Sequence, residues 1–285
     1  MRLPFRIVDV FTDRPLAGNQ LCVVPEPGSI TSQTMQAIAR EIGFSETTFV
    51  TWATRDRYEM RIFTPATELP FAGHPSLGTA FVLAAEGRTR TSVIQSVTSG
   101  EMPIEVDLQE RIARMEQLPP IFRPPVDDTS AVLGATGLKP DDLIPELPCQ
   151  VVSTGLAHLL VPVASEETVR WTRPDLQALT ELLERAGASG AYLFAIEEGD
   201  IHARLFAPGL GVEQDAATGS AAGPLGAYLV EHGVVPPGLL TISQGQEIGR
   251  PSTLQVEIQP GGDGWRVFVS GGVVIVGEGV FILPD

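Results

Sequence analysis

At 285 residues, 43% of them hydrophobic, with a mean hydropathy of +0.13, the chain can bury one large core or two smaller ones and is too apolar for a disordered segment. Its 35 Asp and Glu against 19 Lys and Arg give a formal charge of −16, a field that repels nucleic acid and leaves only locally arranged donors to hold an anionic metabolite. Two cysteines make neither a disulfide framework nor a metal cluster, and no apolar run is long and uninterrupted enough to span a bilayer.

In chain order, residues 5–11 and 21–24 read as strands, short and rich in Val, Ile and Phe. The N-terminus enters the first of these with no signal-peptide core, so a cytoplasmic location is expected. Cys22 sits in the run Leu21-Cys22-Val23-Val24, which suits a buried, inert thiol. Residues 34–42 carry apolar side chains at i, i+3 and i+4 and predict an amphipathic helix, followed by strands at 47–51 and 58–63. Residues 75–85 are apolar nearly all round, the pattern of a helix enclosed on every side. Strands at 102–106 and 111–115 follow.

Pro119-Pro120 through Pro124-Pro125 marks a join that continues neither neighbouring element, dividing the chain into lobes 1–121 and 122–285. The second lobe has strands at 151–153 and 159–163, an amphipathic helix at 175–185, strands at 191–196 and 201–206, and an all-apolar helix at 222–231. Strands at 254–258, 266–269 and 273–276 end the chain. The last, after Gly271-Gly272, is expected to return to the first lobe over about 273–285.

This order repeats. Arg61-Ile62-Phe63-Thr64-Pro65 reappears 143 residues on as Arg204-Leu205-Phe206-Ala207-Pro208, with an amphipathic helix before each copy and a buried helix after it. Two copies exclude a solenoid and predict an α+β protein of two pseudo-symmetric lobes, each a β-sheet or barrel wrapped around a central helix.

Chemistry has three candidate places. Glu46, in Ser45-Glu46-Thr47-Thr48, follows a helix and enters a strand; it is either a solvated loop carboxylate or one held among apolar groups and able to carry a proton near neutral pH. In Gly73-His74-Pro75, the proline suits a first helical position and makes His74 the expected cap. The imidazole there either packs, or joins free backbone N–H groups at the positive end of a helix. Asp215-Ala216-Ala217-Thr218-Gly219-Ser220 holds the equivalent place in the second lobe, with Thr218 or Ser220 as cap and small residues that admit a ligand. Two such helix starts would most naturally face one cleft. His158, His202 and His232 carry less weight, and no pair has zinc-ligand spacing; neither a metal nor a dinucleotide cofactor is implied.

The residues Asp9, Gly18-Asn19, Ser45-Glu46-Thr47-Thr48-Phe49, Glu68-Leu69-Pro70-Phe71-Ala72-Gly73-His74-Pro75, Asp215 through Leu225, Gln244-Gly245 and Gly249-Arg250-Pro251-Ser252 resemble the PhzF family of phenazine-biosynthesis isomerases. The likeness runs nearly end to end and implies the diaminopimelate-epimerase-like fold and a homodimer. It also implies a cofactor-independent isomerase of a small anionic or zwitterionic substrate, with Glu46, His74 and Asp215 catalytic: Glu46 would move a proton between ring carbons, and His74, Asp215 and Ser220 would bind and polarise the substrate or help shuttle protons. Gly73, Thr218, Gly219 and Ser220 would bind the substrate. Racemases of that fold place a thiol at each central helix start, where this sequence has Gly73-His74 and Gly219-Ser220 instead. An epimerase of another small amino or hydroxy acid, or a non-catalytic metabolite-binding protein of the same fold, are the alternatives.

Overall fold

A computed structural model describes residues 1–97, 100–262 and 264–283. The chain divides into two compact units, Met1–Glu116 with the segment from Val269 onward, and Gln117–Phe268. The sequence reading sets the join at 121/122 and the return from about 273; the units divide a few residues earlier at both points. Among the described residues, no helix is long and apolar enough to cross a membrane.

In the first unit, β1 (Arg2–Val10), β2 (Asn19–Val24), β3 (Glu46–Ala53), β4 (Arg57–Phe63), the two-residue β5 (Glu68–Leu69), β6 (Ser92–Val97), β7 (Gly100–Asp107) and β8 (Ile112–Glu116) are joined by the C-terminal part of the long last strand, Gly264–Ile282. Pairing runs β1–β2–β3–β4–β6–β7–β8, and the last strand bonds both β8 and β1, so eight strands close on themselves. Closure leaves no free edge.

Helix α2 (Gly73–Ala85) packs on β1, β2, β3, β6, β7 and β8 and is buried from Gly73 through Ala84, which is why its sequence is apolar on all sides. Gly78 lets it approach the wall: a Cβ there would lie 2.7 Å from Leu21 and 2.9 Å from Val10 side-chain carbons. Helix α1 (Ser32–Ile42) is one-sided instead, burying Met35, Ile38 and Ala39 on Cys22, Val24, Phe49 and Phe63. Thr31 caps its start, and Gly43 at φ 71° ends it. The chain then enters β3, parallel to β2 with Glu46 opposite Leu21.

The second unit repeats the plan. Its strands are β9 (Ile121–Pro125), β10 (Gln150–Ser153), β11 (Ala157–Pro162), β12 (Gly190–Glu197), β13 (Asp200–Ala207), β14 (Val212–Asp215), β15 (Gly238–Gln244) and β16 (Ser252–Gly261), before β17 (Gly264–Ile282). β10–β11 is antiparallel, β11–β12 parallel, β12–β13 antiparallel, β13–β15 parallel and β15–β16 antiparallel, the sequence of orientations seen from β1 to β7. Short helices α3 (Ser130–Thr136) and α4 (Glu166–Trp171) join α5 (Leu176–Ala186), which buries Leu179, Leu182 and Leu183. Helix α6 (Gly219–Glu231) is the enclosed one, buried from Gly219 through Val230.

Several expectations need correction. The Pro-rich stretch is not a bare join: residues 121–125 form β9, antiparallel to β10, because an outer strand tolerates residues that cannot donate a ladder bond. Gly271-Gly272 does not break the chain; β17 runs through it. A Cβ on Gly271 would meet the Phe11 ring at 2.4 Å, and the Phe11 N–H donates to Gly272 O at 2.7 Å. His74 does not cap α2: the cap position is Ala72, and Gly73, His74 and Pro75 form the first turn, where a missing N–H costs little.

Candidate active site

The first cluster lies at the N-terminal end of α2. Glu46 opens β3, Asn19 opens β2 and His74 is the second residue of α2, so three neighbouring elements deliver them to one place. Glu46 Oε2 stands 3.4 Å from His74 Nε2, with the side chains 12% and 4% exposed. On the other side of the ring, Asn19 Nδ2 lies 3.2 Å from His74 Nδ1, and Ser45 Oγ donates to Asn19 Oδ1 at 3.1 Å. Burial pushes the imidazole down to about 3, opposed in part by a hydrogen bond to the Gln20 backbone, so the ring is neutral at any ordinary pH. A neutral ring presents to Oε2 either one N–H or a bare lone pair at Nε2. The carboxyl group therefore has beside it a partner that can give or accept a hydrogen bond without bringing charge.

The second cluster lies at the N-terminal end of α6. Thr218 holds the cap position of α6, as one of the two expected caps, but its Oγ1 donates to Asp215 Oδ2 at 2.5 Å and makes no capping hydrogen bond to the helix. Gln244, fully buried at the end of β15, accepts from the Thr218 N–H at 3.2 Å and from the Tyr192 hydroxyl at 2.9 Å. Its Nε2 donates to Asp215 O at 3.0 Å and to Thr218 Oγ1 at 3.1 Å. Burial first, then the negative charge of Asp215, holds the Tyr192 phenol above its usual range. Ser220 Oγ lies 3.1 Å from His158 Nε2, and burial pushes that ring down to about 3. Gly219, the first helical residue, accepts from Gln117 Nε2 through its carbonyl at 2.9 Å.

Thus Glu46, Gly73 and His74 come together in the first unit, and Asp215, Thr218, Gly219 and Ser220 in the second. Sequence reading undervalued His158, which shows no motif beyond the strand it begins; only the fold brings it to Ser220. Tyr192 lies within the predicted strand 191–196, with nothing local in the sequence to mark it. Asp9, near the end of β1, accepts the Leu16 N–H on its Oδ2 at 2.7 Å across the loop that leads to β2. His202 bonds Glu247 at 2.8 Å, and His232 bonds Gln150 at 2.9 Å. Among the described residues, no group of three or more His, Cys, Asp or Glu is placed to hold a metal ion. Both thiols are buried, with Cys22 pushed up to about 12 and Cys149 to about 11, so neither is a ready nucleophile or base.

A family model described as phenazine biosynthesis-like protein, PhzC-PhzF, matches residues 8–279. The chain belongs to this family. This PhzF-like chain is 34% identical over 286 residues to the uncharacterized isomerase YddE of Escherichia coli O157:H7, covering 94% of this chain and 95% of that one. It is 36% identical over 283 residues to the trans-2,3-dihydro-3-hydroxyanthranilate isomerase of Pseudomonas chlororaphis, covering 97% and 98%. The structure of a predicted epimerase, PA4716, from Pseudomonas aeruginosa superimposes with a TM-score of 0.87 at 34% identity, covering 99% and 100%. The PhzF-like chain is an isomerase, and its fold is the epimerase-like one that the resemblance implies.

Proposed function

We propose that this isomerase moves a proton from one carbon to another of a small cyclic amino or hydroxy acid, with trans-2,3-dihydro-3-hydroxyanthranilate the first substrate to try. The observation that carries this reading is the Glu46 carboxyl group, nearly buried and 3.4 Å from a neutral imidazole. Glu46 takes the proton from an sp³ carbon, the electron pair moves into the ring's double-bond system, and the proton returns from Glu46 to a different carbon. No atom or electron is gained or lost, so no co-reactant is required. His74 hydrogen-bonds the substrate or Glu46 as the proton moves, while Asp215, Thr218, Gly219 and Ser220 bind the polar groups of the acid. In the same reading the enzyme is a cytoplasmic homodimer.

The test is turnover of trans-2,3-dihydro-3-hydroxyanthranilate in deuterated water. Product formation should fall about 10²–10⁴-fold in Glu46→Gln, as expected for loss of a general base. Undiminished turnover in that variant removes Glu46 from the role. A wild type inert toward this compound that exchanges deuterium into another small amino or hydroxy acid redirects the substrate assignment.

A further inference from the structure

The hydrogen bonds around Asp215 have a direction that can be deduced atom by atom. Two of the four groups touching the Gln244 amide belong to the backbone and have no freedom of role: the Thr218 N–H only donates, and the Asp215 carbonyl only accepts. The atom facing Thr218 N must therefore be Oε1 and the atom facing Asp215 O must be Nε2, which fixes an orientation that side-chain partners alone would leave open. Gln244 Nε2 then donates its second hydrogen to Thr218 Oγ1. With that lone pair occupied, the Thr218 hydroxyl hydrogen goes to its other partner, the Oδ2 of Asp215. A short hydroxyl bond to a carboxylate oxygen favours the anionic form of the acid.

We infer that Gln244 is a positioning residue which, through Thr218, keeps Asp215 an anionic hydrogen-bond acceptor. The inference rests on the proposed proton-shift reaction for its meaning and refines it: Asp215 holds a donor group of the substrate, an amine or a hydroxyl, and the proton that travels between carbons belongs to Glu46. The wider surroundings are built to keep Gln244 in place. The Tyr192 hydroxyl completes the bonding of Oε1. Gly245, at φ 84°, turns the chain so tightly under Ala216 that a Cβ would fall 2.4 Å from the Ala216 carbonyl oxygen. The Ser252 hydroxyl, itself buried, shares its one hydrogen between that carbonyl at 3.1 Å and Arg250 O at 2.8 Å, bridging the two carbonyls. The first unit offers a contrast. Buried Gln95 on β6 likewise accepts from a tyrosine, Tyr58 at 3.0 Å, but its Nε2 meets no hydrogen-bond partner among the described residues.

The experiment reads Asp215 directly and needs no substrate, so it can fail while the isomerase reading stands. The full chain, labelled at aspartate carboxyl carbons, is titrated by NMR and the Asp215 resonance assigned with Asp215→Asn. Thr218→Val removes the hydroxyl with little change of shape, and the midpoint of Asp215 protonation is expected to rise by about one pH unit relative to wild type. Thr218→Ser, which restores the hydroxyl, should bring the midpoint back. Gln244→Glu, which cannot donate and adds charge, should raise it as well; should that variant fail to fold by thermal melting, the two Thr218 variants decide alone. An unmoved midpoint in folded Thr218→Val, or a midpoint in Thr218→Ser raised as far as in Thr218→Val, overturns the inference.

Discussion

His74 Nε2 stands 3.4 Å from Glu46 Oε2 with both atoms buried, and the imidazole is neutral because burial outweighs the hydrogen bond to the Gln20 backbone that favours its charged form. A charged pair there would answer to pH near neutrality; this one does not. The ring nitrogens of His74 should keep neutral-imidazole NMR shifts from pH 8 down to pH 5. A protonated signature appearing near pH 6.5 would contradict the arrangement.

The same pair separates binding from chemistry. His74→Gln leaves a hydrogen-bonding group near Asn19 and Glu46 but removes the ring. If His74 supports the proton transfer, kcat should fall about 10–100-fold with KM changed less than threefold. A change confined to KM would make His74 a binding group only.

Burying two neutral histidines ties stability to pH. His74 and His158 are both lowered to about 3 in the folded chain, against an ordinary value near 6.5 when unfolded. Between those limits the unfolded chain binds protons that the folded chain refuses. Their contribution is therefore complete above about pH 6.5 and is lost as pH falls toward 3. Each histidine should cost roughly 1.4 kcal/mol of unfolding free energy per pH unit through that window. Urea denaturation at pH 7, 6 and 5 measures the slope, and His158→Asn should reduce it by one histidine's share.

Two glycines of one loop should respond differently to alanine. Gly245 has φ 84°, and a Cβ there would lie 2.3 Å from Arg250 O and 2.4 Å from Ala216 O; Gly249 has φ 70° with nothing within 4 Å. Gly249→Ala should cost about 1 kcal/mol for the left-handed backbone alone, and Gly245→Ala on the order of 3 kcal/mol because two backbone carbonyls must move. Equal costs by urea denaturation would show that the loop does not bear on Ala216 as described.

The sequence makes the repeat legible because periodicity reports burial: the all-apolar stretches after residues 75 and 222 lie inside α2 and α6, and the one-sided patterns lie in α1 and α5. Glu46, His74 and Asp215 stand in motifs whose local pattern already places them at element starts. What stays hidden depends on partners distant in the chain. His158 matters through Ser220, 62 residues away, and Tyr192 through Gln244, 52 residues away. β9 escapes notice because its prolines are acceptable only once β10 lies on one side of it, and Gly271-Gly272 looks like a turn until Phe11 is packed on it.

The register of the first barrel has a consequence for how the molecule is made. Arg2 pairs with Ile282, so β1 leaves a ribosome long before the strand that pairs with it. Gln117–Phe268 is an unbroken stretch whose internal pairings are all available before the segment from Val269 is made. During that interval β1 and β8 carry unpaired edges of the kind that invites association with other chains. Nascent chains truncated before residue 269 should accordingly be far more aggregation-prone than the finished protein, and supplying the missing strand as a separate peptide should relieve that tendency.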